Sequence, residues 1–188
     1  MDTGRKSFPG GGCTGKKKKA GKTMKNRIKA ECFSMLIKIA VFALAFWVLL
    51  FGAFGIFRIS DYAMMPSCKD GDVVLFDRTQ KEYQAGDLVV LSKDGEDQIR
   101  RIVAVPGDQV EITEEGLFIN GYLQLEKEIT TETLPREDCV SYPIELKEQE
   151  YFVLADQRDS AKDSRWYGSV QKEEIKGAVI LLLRRRGF

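Results

Sequence analysis

Apolar and polar residues follow three different patterns along this 188-residue chain. Residues 1–30 are rich in Gly and Lys, carry the block Lys16–Lys19 and show no apolar period, so they read as a solvated arm without fixed structure. From Ile39 to Phe57 run 19 residues with no formal charge, IAVFALAFWVLLFGAFGIF. As a helix that stretch covers about 28 Å, close to the hydrocarbon thickness of a bilayer. Phe, Trp and Leu on every face leave no polar side for water, which argues against a core helix. The run is also too long for the apolar region of a cleaved leader, which argues for an uncleaved anchor.

After Arg58 the pattern becomes short β-type runs separated by turn residues. The expected strands are Val73–Phe76, Leu88–Leu91, Gln98–Val105, Val110–Ile112, Leu117–Ile119, Tyr122–Leu125, Tyr151–Leu154 and Ala178–Leu183. Asn120-Gly121 between two apolar runs is the strongest hairpin signal. Lys69-Asp70-Gly71-Asp72, Ala85-Gly86-Asp87 and Pro106-Gly107-Asp108 mark further turns. Nothing in this half has a helical period. The expected fold is therefore all-β, a curved, barrel-like antiparallel sheet preceded by one transmembrane helix. The domains follow: 1–38, a basic cytoplasmic arm; 39–57, a transmembrane anchor; 58–188, an extracytoplasmic β-domain.

Charge sharpens this division. Residues 1–38 hold 11 Lys/Arg against 2 Asp/Glu, and residues 39–188 hold 18 against 26. A basic arm and an acidic domain on either side of an apolar span suit two compartments and lipid head groups rather than nucleic acid, with the N-terminus in the cytoplasm. The chain has no histidine, which excludes a Ser-His-Asp triad, a Cys-His dyad and histidine-based zinc sites. The four cysteines lie far apart in sequence with no C-x-x-C, so no metal and no cofactor is expected. Cys68 and Cys139 would share the outer compartment, either as a disulfide or as two free thiols.

Several blocks in order carry a family resemblance. After the apolar span come Ala63-Met64-Met65-Pro66, Gly71-Asp72-Val73-Val74 and Gly86-Asp87-Leu88-Val89-Val90. Arg100-Arg101-Ile102-Val103-Ala104-Val105-Pro106-Gly107-Asp108 and the segment from Leu117 to Gly121 follow. The last block runs from Ala155 to Arg165, ADQRDSAKDSR, with Gly168 in register beyond it. Over Lys29 to about Gly177 the chain resembles the type I signal peptidases of the Gram-positive type, membrane-anchored endopeptidases with a Ser/Lys dyad. The resemblance implies a serine that attacks the peptide carbonyl and a desolvated lysine that takes its proton.

By the same resemblance, the serine position is occupied by Ala63, the lysine position by Arg100 and the lysine-orienting serine position by Ala161. A methyl group has no oxygen to attack with, and a guanidinium whose pKa exceeds about 12 is no general base. Asp61 falls where relatives place an oxyanion donor or a glycine, and a carboxylate there repels developing negative charge. Ser60, Ser67, Lys69 and Lys93 are the substitutes in reach, the serines out of register and the lysines in polar turns. Met64 and Pro66 are implied to wall the cleft. Arg101, Asp163 and Arg165 are implied to brace its floor with ion pairs. Arg100 would either favour a polar or acidic partner or pair internally with Asp61.

Three function classes remain open. The first is a signal-peptidase-like pseudoenzyme whose cleft binds an exported preprotein or a pilin peptide. Inactive relatives are associated with pilus assembly, which implies an accessory or chaperone-like role. The second is an active signal peptidase that cleaves leader peptides. The third is a structural anchor that docks a sortase or a translocon.

Overall fold

The computed structural model describes residues 15–185 apart from 127, 128, 130, 137, 138 and 160. The chain divides into two compact units, residues 1–49 and residues 50–188. Helix α1 runs from Gly15 to Ala53. Its stretch Glu31–Ala53 has a mean hydropathy of 2.4 and is entirely unburied, which fits a bilayer-crossing segment. The arm expected to lack structure is thus helical from Gly15, while residues 1–14 lie outside the described residues. Lys and Ala are good helix formers, and extending an existing helix avoids the cost of nucleation.

The apolar run expected to be one helix to Phe57 divides at Ala53. Phe54–Arg58 is strand β1, paired antiparallel with β2 (Val73–Asp77). The elements after β2 are β3 (Leu88–Lys93), β4 (Glu96–Ala104), β5 (Gln109–Thr113), β6 (Gly116–Ile119), β7 (Tyr122–Leu123), β8 (Ile144–Glu145) and β9 (Glu150–Leu154). A four-residue helix α2 (Ser164–Tyr167), β10 (Val170–Gln171), a 3-10 turn (Lys172–Glu174) and β11 (Ile175–Leu183) complete the described chain.

The strands form two open sheets with every described pairing antiparallel. One has the order β1-β2-β11-β3-β4-β9-β10 and the other β7-β6-β5-β8. The all-β class with one preceding apolar helix is as expected. The strand order closes no barrel, since β1 and β10 end one sheet and β7 and β8 the other. Three tight hairpins set the register, one of them turning at Glu114-Glu115 between β5 and β6. Asn120-Gly121 joins β6 to β7, and Asp94-Gly95 joins β3 to β4, with positive φ at all four residues as a type I′ turn requires.

One apolar cluster gathers Ile59, Met64, Val74, Phe76, Val90 and Ile99 with Ala63 and Ala161, so the core of the large sheet is also the support beneath the cleft. A second cluster around Val110, Ile112, Leu117 and Phe152 closes the small sheet over β9. Phe76 lies over two glycines. A Cβ at Gly55 would meet its ring at 2.2 Å. A Cβ at Gly177, where φ is +156°, would meet the Asp77 carbonyl oxygen at 2.1 Å. At Gly177 the obstacle is backbone, so the two strands themselves must separate. Gly177→Ala is expected to destabilise the β-unit by about 1–3 kcal/mol, read as a lower denaturation midpoint of the full-length chain in detergent. An unchanged midpoint would contradict this packing.

Candidate functional site

The loop between β1 and β2 is tied off at its base. Ile59 N donates to the Asp72 carbonyl at 2.9 Å, and Gly71 N donates to the Ile59 carbonyl at 2.9 Å. Within the loop Cys68 N donates to the Met64 carbonyl at 2.8 Å. Gln157 N donates to the Ala63 carbonyl at 2.8 Å, which fixes residue 63 against the segment after β9. The Ala63 amide donates to Asp61 Oδ1 at 3.3 Å. Its methyl is buried in the core cluster beside that of Ala161.

A cleft of about 570 Å³ opens over this point. One wall is Ser60, Asp61, Tyr62 and Ala63; the opposite wall comes from the β3–β4 hairpin and includes Lys93, Glu96, Gln98 and Arg100. Ala161, Lys162 and Tyr167 line the rest. The structure therefore brings Asp61, Ala63, Arg100 and Ala161 to one place. Met64 and Pro66 do not line the cleft: Met64 is wholly buried in the core beneath it, and Pro66 is exposed.

Arg100 is only 4% exposed. Its Nε donates to the Lys162 carbonyl at 2.9 Å, and its Nη1 donates to the Ile99 carbonyl at 2.5 Å. Nη1 lies 3.7 Å from Asp61 Oδ2, an ion pair longer than a hydrogen bond, and the Asp61 side chain is 45% exposed. The internal pairing of Asp61 with Arg100 thus exists but is loose. Tyr167 stands beside Arg100. Its buried hydroxyl makes no hydrogen bond of normal geometry to a described residue, and burial pushes its pKa well above the ordinary tyrosine value.

The other polar candidates are already engaged. Lys93 Nζ pairs with Glu174 at 2.8 Å and sits over the Tyr167 ring. Ser67 accepts from Arg101 at 3.0 Å, so its hydroxyl serves the brace and does not face residue 100. Among the described residues no hydrogen bond joins Ser60 to a lysine, and no group of acidic or cysteine side chains could hold a metal.

Beneath the cleft lie buried ion pairs. Arg101 clasps Asp156 with two bonds of 2.8 and 2.6 Å. Arg165 clasps Asp163 at 3.0 and 2.9 Å, and both are almost fully buried. Asp163 also accepts from the amides of Ala155 and Arg165 and caps α2. Buried charges survive only with this degree of satisfaction, since an unpaired one costs several kcal/mol. Sequence reasoning missed Asp156 as the partner of Arg101, although it lies in the block that begins at Ala155. It also missed the fully buried Arg158, which pairs with Glu126 at 2.5 Å. Glu126 stands in a stretch with no motif, and nothing local could have signalled it. Tyr167 was hidden between Arg165 and Gly168.

The family model described as signal peptidase, peptidase S26, matches residues 30–183. The chain belongs to the signal peptidase family. It is 28% identical over 173 residues to signal peptidase IB of Staphylococcus aureus, covering 81% of this chain and 89% of that protein. Against signal peptidase I S of Bacillus subtilis it is 30% identical over 131 residues, covering 61% of this chain and 68% of that protein. A crystal structure of a signal peptidase I from Enterococcus faecalis superposes with a TM-score of 0.45 at 23% identity, covering 54% of this chain and 100% of that one. The apolar N-terminal helix and the signal peptidase relatives together point to a membrane-anchored chain.

Both Cys68 and Cys139 are free thiols, Cys68 buried and Cys139 exposed. Burial, then the charges of Asp156 and Asp72, push the Cys68 thiol from 9.0 up to about 11. A raised thiol pKa means the folded state favours the neutral form. Its contribution to stability is therefore complete below pH 9 and is lost as pH climbs toward 11. Peptide mapping after alkylation at pH 8 should find Cys139 modified and Cys68 protected, with Cys68 labelling rising only above pH 9. Equal labelling at pH 8 would contradict the packing of the loop that carries Ala63.

Proposed function

We propose that this member of the signal peptidase family no longer cleaves peptides and uses its cleft to hold an exported polypeptide, with a pilin peptide as the concrete case. The observation that carries this reading is the pair of side chains at the cleft floor. Residue 63 presents a methyl group, and residue 100 presents a buried guanidinium. Acyl transfer by a serine and a lysine needs a hydroxyl next to a base that can be neutral, and neither residue supplies its half. Loss of one member of such a unit lowers the rate by about four to six orders of magnitude, and the second loss adds little.

The rest of the site supports binding. The ion pairs under the floor are complete, the cleft is open, and among the described residues β4 before Arg101 has no strand paired on the side away from β3. An extended peptide could pair with that edge. In this reading residues 1–38 face the cytoplasm, where their basic charge suits anionic lipid, and residues 58–188 stand on the outer side. The role is an accessory one in export or pilus assembly, with a sortase or translocon as neighbour.

The competing reading is an active signal peptidase, favoured by membership of an enzyme family and by Ser60 and Lys162 at the rim of the cleft. Purified full-length chain in detergent, incubated with a leader-peptide substrate, is expected to show no turnover above a boiled control. An active relative assayed in parallel should exceed it by at least about 10⁴-fold. Turnover by the native chain would establish the active reading instead. A photo-crosslinker at position 63 is expected to capture the peptide; failure to capture it would favour a pure anchor.

A further inference from the structure

At the cleft floor one buried cation has only a loose carboxylate partner, and one buried hydroxyl has no partner among the described residues. Arg100 is permanently cationic and nearly inaccessible, so it needs a close anion. Its carboxylate partner, Asp61, stays 3.7 Å away and is nearly half exposed. Asp61 is instead engaged with the Ala63 amide at 3.3 Å. The Tyr167 hydroxyl, buried in the same lining, has no acceptor among the described residues. Ala63 and Ala161 present only methyl groups there, which leaves room for an incoming side chain or chain end.

The backbone tells the same story. Ile102 N and O both bond toward the β3 side, to Asp87 and Gly86. Strand alternation then turns the Ile99 carbonyl toward the edge of β4 that has no strand beside it. That carbonyl is covered by Arg100 itself, at 2.5 Å. The acceptor of the free edge and the amide of residue 63 are thus occupied by Arg100 and Asp61, the two members of the loose pair.

We infer that the cleft selects a peptide by a single carboxylate, which replaces Asp61 against Arg100 and accepts from the Tyr167 hydroxyl. This rests on the peptide-binding reading and specifies its ligand. The carboxylate comes either from an Asp or Glu side chain or from the free C-terminus of a cleaved peptide, and both offer the same planar acceptor to the guanidinium fork. Asp94, Glu96 and Asp97 ring the outer part of the cleft. An acidic run is therefore repelled, and the preferred ligand has one deep carboxylate with neutral or basic neighbours. Asp61 acts as an internal competitor that keeps Arg100 compensated when the cleft is empty.

The test is fluorescence-anisotropy titration of the full-length chain in detergent with four peptides of one extended sequence. One is neutral and amidated, one is amidated with a central Glu, one is neutral with a free C-terminal carboxylate, and one carries four consecutive Glu. A single carboxylate is expected to tighten binding roughly tenfold over the neutral peptide, whichever source supplies it, and the acidic run is expected to lose that gain. Asp61→Asn removes the competitor with little change of shape and should tighten the carboxylate peptides more than the neutral one. Arg100→Met should erase the preference, and a melting curve shows whether that variant is folded. Even if it is not, the native chain and Asp61→Asn decide the matter. Equal binding of neutral and carboxylate peptides overturns the carboxylate assignment while leaving peptide binding intact. Binding of none of the four, by either protein, overturns both.

Discussion

The guanidinium of Arg100 is the group around which the site is arranged. A charge that cannot be neutralised by losing a proton must be answered by acceptors when it is buried, or the fold loses several kcal/mol. Two main-chain carbonyls, from Ile99 and Lys162, meet it directly, and one carboxylate meets it loosely. A lysine in such a place could shed its charge and become a base. An arginine keeps its charge. One substitution therefore changes the chemistry that the same backbone supports.

The scaffold around it depends on charges buried more deeply still. Asp163 and Arg165 hold the turn that follows β9, and through the Ala155 amide they fix the segment whose Gln157 amide holds residue 63. Arg101 and Asp156 tie β4 to that segment, so residues 100 and 63 are held by one connected set of bonds. These bonds keep the two walls in place.

Much of the fold was legible because strand alternation and turn dipeptides are local signals. Asn120-Gly121 marked its hairpin, and the runs at Val73, Val110, Leu117 and Tyr151 each lie within strands. The β-hairpin at Asp94-Gly95 was obscured by the charged residues Lys93, Glu96 and Asp97, which face the cleft and its rim. Strand β1 was read as the end of the apolar helix, since composition alone cannot separate a lipid-facing residue from one paired with β2. In the site, the blocks around Ala63, Arg100 and Ala161 led to residues that do meet in space. Met64 carries a motif but belongs to the core, and Tyr167 carries none but lines the cleft. Such differences depend on side-chain direction, which a linear pattern does not contain.

In the proposed reading no hydroxyl of the native chain becomes an acyl acceptor in this cleft. Its most direct test is the intact mass of the full-length protein after exposure to an activated peptide ester that fits an extended-peptide site. The predicted outcome is no acyl group on any hydroxyl lining the cleft of the native chain. A stable acyl adduct mapped to Ser60, or to any other hydroxyl lining the cleft, would contradict it.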